Sequence, residues 1–198
     1  GQKRGWETIG VEPSASAVRY SQKRGLVTIN DFFSYGRTKN LGLFDVVHAA
    51  MVLEHVPDPT GFIGDMKKML KKNGLIAIFS PNDYNPLQDI LRTEYKFKPW
   101  WVVPKHHLNY FTVKSMTHLL ERLGFVTEDV LGTYPLETFL LAGKNYVGSH
   151  VMGRTCHAKR KTFEMGLYKK DSTMINDLYR GLATVGLGRE FMIIARKK

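Results

Sequence analysis

Two histidines, His55 and His107, are the side chains of this sequence best suited to acid–base chemistry. His55 follows Glu54 in the run LFDVVHAAMVLEHVPDP (residues 43–59), and His107 lies in the run HHLNYF (residues 106–111). Histidine titrates near neutral pH, so either imidazole can take a proton from a hydroxyl group. Each also has an ordinary alternative, since His55 can be partly structural and His107 can be a surface or helix-capping residue. We therefore treat both as candidate catalytic bases.

The elements around His55 place it at the end of a strand. The apolar run 44–50 predicts a buried strand, which leads into the polar elbow Glu54-His55. Asp58 is a suitable N-cap and Pro59 suits a first helical turn, so a helix is expected to start there. In open α/β sheets, ligands bind beyond the carboxyl ends of the strands. The elbow is therefore expected to face a ligand.

Strands and helices alternate along the rest of the chain. Strands are predicted at 8–11, 27–29, 75–79, 125–130 and 190–195, and helices after Ser14, from Pro59 to a stop at Gly74, from Thr112 to Leu123 and around 174–182. The uninterrupted apolar run 75–79 is typical of a sheet that is covered on both faces. This alternation predicts an α/β fold with a parallel, doubly wound sheet.

The strand, the sequence Leu-Glu-His-Val (53–56) and the proline-started helix closely resemble class I S-adenosylmethionine-dependent methyltransferases, especially those related to ubiquinone and menaquinone biosynthesis enzymes. The resemblance implies a Rossmann-like, mostly parallel sheet with an antiparallel last strand, in a single domain over 1–198. The family's glycine-rich loop after its first strand has no counterpart here. We expect the first strand–helix unit to be absent, either because the sequence begins inside a longer protein, which we favour, or because the sheet is rebuilt.

The resemblance also implies S-adenosylmethionine as the cofactor and assigns the residues that bind its ribose. Glu12, followed by Pro13, ends the strand 8–11, where the family has an acidic residue. A carboxylate at a strand end can accept hydrogen bonds from both ribose hydroxyls. The alternative is an exposed glutamate that caps the helix starting after Ser14.

Four further residues are expected near the adenine ring. Asp31 matches a family acidic residue that accepts a hydrogen bond from the adenine amino group, and Phe32 would provide an apolar wall. Met51 and Leu53 could cover the other face of the ring. Asp31 could instead begin a turn, and core packing is an equal alternative for Met51 and for Leu53.

The acceptor side is expected to lie among two insertions, at about 84–107 and 132–188. The first carries Tyr84, Trp100 and Trp101, which could form a lid that excludes water or a small satellite core. With His107 and Tyr110, these are the predicted substrate-binding residues. The second insertion is expected to shape the acceptor pocket or a homodimer interface.

The amino-acid composition narrows the kinds of molecule that this chain is expected to bind. The net charge is +11, with basic clusters at 67–72, 154–161 and 196–198. Neither the first nor the last is interleaved with aromatic residues as in single-stranded nucleic-acid sites. The segment 154–161 could bind an anionic acceptor or be solvated charge. No apolar run approaches the roughly 20 residues that span a bilayer. The single Cys156 excludes an intrachain disulfide, fits a reducing cytoplasm and has no metal-ligand spacing around it, so no metal is expected.

These observations favour methyl transfer from S-adenosylmethionine to a small-molecule or lipid-like acceptor, at oxygen. A non-catalytic binding or assembly module of the same fold is the first alternative, because it would explain the missing glycine-rich loop. An RNA methyltransferase is the second, favoured by charge. It is disfavoured because no Asn/Asp-Pro-Pro-aromatic motif of the amino-methylating enzymes is present.

Overall fold

The computed structural model describes all residues, 1–198, and divides into two compact units, residues 1–43 and 44–198. Each unit has its own sheet. The prediction of one domain over the whole chain stays a prediction, and the two units are described separately below.

The first unit is built on two short parallel strands, β1 (Ile9–Val11) and β2 (Val27–Ile29), paired from Ile9 opposite Val27 to Val11 opposite Ile29. Helix α1 (Ala15–Gln22) joins them, and helix α2 (Tyr35–Thr38) follows β2. The predicted start of α1 is confirmed, because the Ser14 hydroxyl accepts a hydrogen bond from the backbone N–H of Ala17.

The second unit contains a four-stranded sheet with the order β3-β4-β6-β5. Its strands are β3 (Phe44–Ala50), β4 (Leu70–Pro81), β5 (Phe125–Gly132) and β6 (Glu190–Lys197). Strands β3 and β4 are parallel, whereas β6 is antiparallel to both of its neighbours. The antiparallel last strand is therefore confirmed.

The second unit also contains six helices: α3 (Pro59–Lys68), α4 (Pro86–Thr93), α5 (Val113–Arg122), α6 (Glu137–Leu141), α7 (His150–Lys170) and α8 (Ser172–Thr184). Helix α4 lies in the first predicted insertion, and α6 to α8 lie in the second. The long helix α7 was not predicted. None of the helices combines the length and the apolar character that a membrane span requires.

The predicted end of α3 at Gly74 is wrong, because the helix ends at Lys68 and β4 begins at Leu70. The backbone N–H of Phe44 donates to the carbonyl of Met69, and Leu70 pairs with Phe44. These long-range bonds draw the segment after Met69 into the sheet. Gly74 lies where a Cβ atom would be 3.2 Å from the carbonyl oxygen of Asp45, so its role is close approach of two backbones.

The core of the second unit lies around the two central strands. On β4, Ile76 and Ile78 are fully buried, and on the neighbouring β6, Ile193 and Ala195 are fully buried. This packing fixes the strand ends from which the polar elbow and its neighbours project.

Candidate functional site

The carboxyl ends of β3 and β4 carry strained backbone. Met51 directly follows β3 with φ of 54°, and Tyr84 lies shortly after β4 with φ of 54°. Residues other than glycine seldom adopt this left-handed conformation, and such strain clusters at functional sites. Because parallel strands end at the same edge of a sheet, this edge is the candidate site.

Glu54 is the buried centre of the elbow, with only 1% of its surface exposed. Its Oε2 accepts a hydrogen bond from the Ser80 hydroxyl at 3.2 Å, whereas its Oε1 is buried without a partner. Its backbone carbonyl accepts from the N–H groups of Leu108 (2.7 Å) and Asn109 (3.1 Å). These bonds hold the loop that carries His107 against the elbow.

The two candidate histidines lie together beside Glu54. The ring centroids of His55 and His107 are 5.0 Å apart, with the rings nearly perpendicular. The Nδ1 of His55 lies 2.6 Å from the carbonyl oxygen of His106, and its Nε2 lies 3.8 Å from Oε1 of Glu54. The Nδ1 of His107 is buried without a partner. Burial lowers the pKa of His107, and the neighbouring His55 lowers it further.

Aromatic rings continue from the histidine pair into the first insertion. Edge-to-face contacts join Trp100 to Trp101 at 4.9 Å and Trp101 to Tyr84 at 5.8 Å, and Tyr84 lies 6.0 Å from Tyr110. Tyr110 lies 6.1 Å from the ring of His107. The predicted substrate-binding residues therefore form one contiguous row of rings. Trp101 is buried within it, while Tyr84 is more than half exposed.

A groove of about 970 Å³ lies at the Trp100 end of this row. Its other wall is the first part of α7, which contributes Arg154, His157 and Lys161. Of the basic segment 154–161, which could bind an anionic acceptor, Arg154 and Lys161 line the groove. Arg160 instead pairs with Glu164 at 3.7 Å.

Asp83, just beyond β4, is a buried ionisable residue that the sequence analysis missed. It is 3% exposed, its Oδ2 is buried without a partner, and its N–H donates to the carbonyl of Phe111 at 2.8 Å. Burial raises its pKa to about 7, although Arg189 opposes this effect. Its position after the Ser80-Pro81-Asn82 strand end was the only signal available in the sequence.

In the first unit, two carboxylates lie at the carboxyl ends of the paired strands β1 and β2. Glu12 follows β1, and its Oε1 accepts a hydrogen bond from the N–H of Ser14 at 2.7 Å, which leaves Oε2 free of protein partners. Asp31 follows β2 and accepts from the Arg37 guanidinium at 2.7 Å, which holds its pKa below the usual range. Both carboxylates are therefore acceptors on one sheet edge.

The remaining predicted cofactor residues differ in accessibility. Phe32 is 70% exposed beside Asp31, and Pro13 is exposed beside Glu12. In the second unit, Met51 is exposed, whereas Leu53 is buried in the core and its carbonyl accepts from the Asn109 side chain.

Sequence comparison finds relatives that match part of this chain. A family model described as "Methyltransferase domain" matches residues 2–130. The ubiquinone biosynthesis O-methyltransferase of Aeromonas salmonicida (strain A449) is 31% identical over 110 residues, which cover 52% of this chain and 44% of that protein. The chain thus spans less than half the length of this curated relative.

Structural comparison finds the same fold in solved proteins. A SAM-dependent methyltransferase from Archaeoglobus fulgidus superposes with a TM-score of 0.60 at 19% identity, over 99% of this chain and 78% of that one. Geranyl diphosphate C-methyltransferase from Streptomyces coelicolor A3(2) superposes with a TM-score of 0.54 at 10% identity, over 100% of this chain and 65% of that one. At such identities the likeness establishes the fold alone, and it confirms the predicted Rossmann-like architecture. The family match over residues 2–130, which is more than half of the chain, shows that the chain belongs to the methyltransferase-domain family.

Proposed function

We propose that this chain carries out S-adenosylmethionine-dependent methyl transfer to oxygen of a small-molecule or lipid-like acceptor. The observation that carries the proposal is the pair of imidazoles, His55 and His107, beside a buried carboxylate at the carboxyl ends of β3 and β4. Family membership supports the reaction class, and the curated relative that is named an O-methyltransferase supports oxygen as the acceptor atom.

The residues of the first unit fit the proposed cofactor. The free Oε2 of the half-buried Glu12 can accept hydrogen bonds from ribose hydroxyls, and the ionised Asp31 can accept one from the adenine amino group. The exposed ring of Phe32 offers an apolar surface for the adenine, and the exposed Pro13 would adjoin the ribose. Met51 and Leu53 stay predicted adenine contacts in the second unit. When bound, the cofactor supplies an electrophilic methyl group.

His107 is the proposed proton acceptor on the acceptor side, with His55 as the second candidate. Methyl transfer to a hydroxyl would form a methyl–oxygen bond as the methyl–sulfur bond of the sulfonium breaks, with the neutral thioether as the leaving group, and it would require the loss of the hydroxyl proton. The unpartnered Nδ1 of His107 can take that proton, because the lowered pKa of this residue keeps the imidazole neutral near pH 7. Glu54 would stabilise the positive charge that this transfer creates.

The row of aromatic rings suits an apolar, ring-containing acceptor. Tyr84, Trp100, Trp101 and Tyr110 would contact it and exclude water from the reacting atoms. Arg154 and Lys161 at the far end of the row have no ion-pair partner, which favours an acceptor with a carboxylate or phosphate group. The predicted homodimer stays a proposal, as does a cytoplasmic location, which the single buried Cys156 supports.

Substitution of His107 by alanine tests the acceptor side. We expect kcat to fall about 100-fold or more, the usual effect of losing a general base, while the affinity for S-adenosylhomocysteine changes less than twofold. His118→Ala on the exposed face of α5 is the matched control and should leave both values unchanged. If His107→Ala turns over at the wild-type rate, His107 does not contact the acceptor.

A further inference from the structure

We propose that the groove between Trp100 and the first part of α7 binds a phosphate group of the methyl acceptor. The identity of the ligand as the acceptor rests on the proposed function, whereas phosphate binding by the groove can be measured without methyl transfer. The unpaired charges of Arg154 and Lys161 fit either a carboxylate or a phosphate. The charge, the spacing and the hydrogen-bond donors of the groove favour the phosphate.

The groove carries positive charge that its own walls do not neutralise. Arg154, His157 and Lys161 line it, and no aspartate or glutamate does. Elsewhere in the second unit most arginines pair with a carboxylate, namely Arg92, Arg160, Arg180, Arg189 and Arg196. The groove has a volume of about 970 Å³, which is the size of a small-molecule site. Unpaired cations in a groove of this size indicate an anionic ligand.

The spacing of these cations suits a phosphate better than a carboxylate. Positions 154, 157 and 161 follow the three- and four-residue spacing that places side chains on one face of a helix. With a rise of about 1.5 Å per residue, Arg154 and Lys161 lie about 10 Å apart along α7, and their long side chains can meet between them. A phosphate monoester has three terminal oxygens and about two negative charges above pH 7, so it can bind both cations. A carboxylate has one charge and would leave one cation unpaired.

Residues that line the groove also carry hydrogen-bond donors without partners. The indole Nε1 of Trp100 and the hydroxyl of Tyr146 are both buried without a hydrogen-bond partner. An indole N–H can only donate, and burial raises the pKa of Tyr146, so its hydroxyl stays a donor. The first turn of α7, after its N-cap Ser149, lies in the groove as well, and the first N–H groups of a helix have no partner within it. Phosphate oxygens accept hydrogen bonds from all of these donors.

Trp100 joins the groove to the row of aromatic rings that ends at His107. It lines the groove, and its ring centroid lies 4.9 Å from that of Trp101 in the row. A phosphate held by α7 would therefore place the apolar part of the ligand beside Trp100 and along the rings. The acceptor would be an elongated phosphate ester, with its hydroxyl and its phosphate at opposite ends.

Calorimetry with three probes of one shape tests the groove in the absence of S-adenosylmethionine. The probes are a hydroxynaphthyl phosphate, the hydroxynaphthoate with the same substitution pattern, and the corresponding uncharged dihydroxynaphthalene. We expect the phosphate probe to bind about tenfold more tightly than the carboxylate probe, and the uncharged probe to bind most weakly. Inorganic phosphate should bind about tenfold more weakly than the phosphate probe, because it makes no apolar contact with Trp100.

Two double variants with the same loss of charge separate recognition in the groove from general attraction to a basic protein. Arg154→Gln with Lys161→Gln should weaken binding of the phosphate probe about tenfold or more, and should change the affinity for the uncharged probe less than twofold. Lys169→Gln with Lys170→Gln, at the exposed far end of α7, should leave both affinities within twofold. All four side chains are exposed, so both variants should fold.

Two results would overturn the phosphate site. The first is wild-type protein that fails to bind the phosphate probe, or that binds the carboxylate probe or inorganic phosphate as tightly. The second is an equal loss of affinity in the two double variants. Neither result bears on methyl transfer, because S-adenosylmethionine is absent. A phosphate probe that binds but accepts no methyl group once S-adenosylmethionine is added would overturn the assignment of this ligand as the acceptor.

Discussion

Asp83 should make the stability of the second unit depend on pH between about 4 and 8. Its carboxyl is buried beyond β4, and Oδ2 has no partner. Burial is the main cause that raises its pKa to about 7, and the carboxylates of Glu54 and Glu137 raise it further, while the positive charge of Arg189 acts in the opposite direction. Asp83→Asn keeps the shape of the side chain and removes its titration.

The direction of this pH dependence follows from the different proton affinity of Asp83 in the folded and unfolded protein. In the folded protein Asp83 holds its proton up to about pH 7, whereas in the unfolded chain it loses the proton near its ordinary value of 3.8. The stabilisation is therefore complete at pH values below 3.8 and is lost as the pH rises through 7. Each pH unit between the two values is worth about 1.4 kcal/mol, so the upper bound is about 4 kcal/mol.

Urea unfolding of wild type and Asp83→Asn at pH 4.5, 6 and 8 measures this effect. Trp100 and Trp101 report on the second unit, and Trp6→Phe in both proteins removes the signal of the first. We expect the stability of Asp83→Asn relative to wild type to increase with pH, by up to about 4 kcal/mol at pH 8. Asp89→Asn, an exposed change on α4, should show no such trend. If the difference in unfolding free energy between Asp83→Asn and wild type did not change with pH, the conclusion that Asp83 is buried and protonated would be wrong.

Two further changes test the cofactor residues and the packing. Glu12→Gln should weaken S-adenosylhomocysteine binding by about 1.5–3 kcal/mol in calorimetry, as expected for the loss of a hydrogen bond to a charged group. The control Glu7→Gln, at an exposed position, should leave the affinity unchanged. An unchanged affinity in Glu12→Gln would show that Glu12 does not contact the cofactor. Gly188→Ala should lower the free energy of unfolding of the second unit by about 1–3 kcal/mol in urea, because its Cβ would lie 2.5 Å from the Cα of Gly132. The control Gly166→Ala places its Cβ in open space on α7 and should not destabilise the unit. Equal stability of the two variants would contradict this packing.

Local sequence signals predicted the starts of helices and the order of strands. Asp58 caps α3 by accepting a hydrogen bond from the N–H of Gly61, and Thr112 caps α5 through Ser115, as their sequence contexts indicated. The end of α3 was missed because Met69 and Leu70 fit a helical spacing equally well. Only their pairing with Phe44, from a distant strand, decides between helix and strand.

The positions of site residues that directly follow a strand could be predicted from the sequence. The burial of individual side chains could not, because it depends on tertiary packing. The approach of His55 and His107 follows from the parallel sheet and the resemblance. The burial of Glu54 and Asp83 does not, because it depends on how the loop 103–111 packs on the elbow through the bonds from Leu108 and Asn109. The helix α7 has charged residues around most of its surface, so no apolar periodicity marked it in advance.

Transfer of a labelled methyl group is the most direct test of the central claim. The protein would be incubated with methyl-labelled S-adenosylmethionine and two matched sets of small aromatic carboxylic acids, one with a free hydroxyl and one with that hydroxyl already methylated. The account predicts label in a product of the hydroxyl set alone, with transfer reduced about 100-fold in His107→Ala. Transfer that is equal for the two sets, or no transfer by protein that binds S-adenosylhomocysteine, would contradict it.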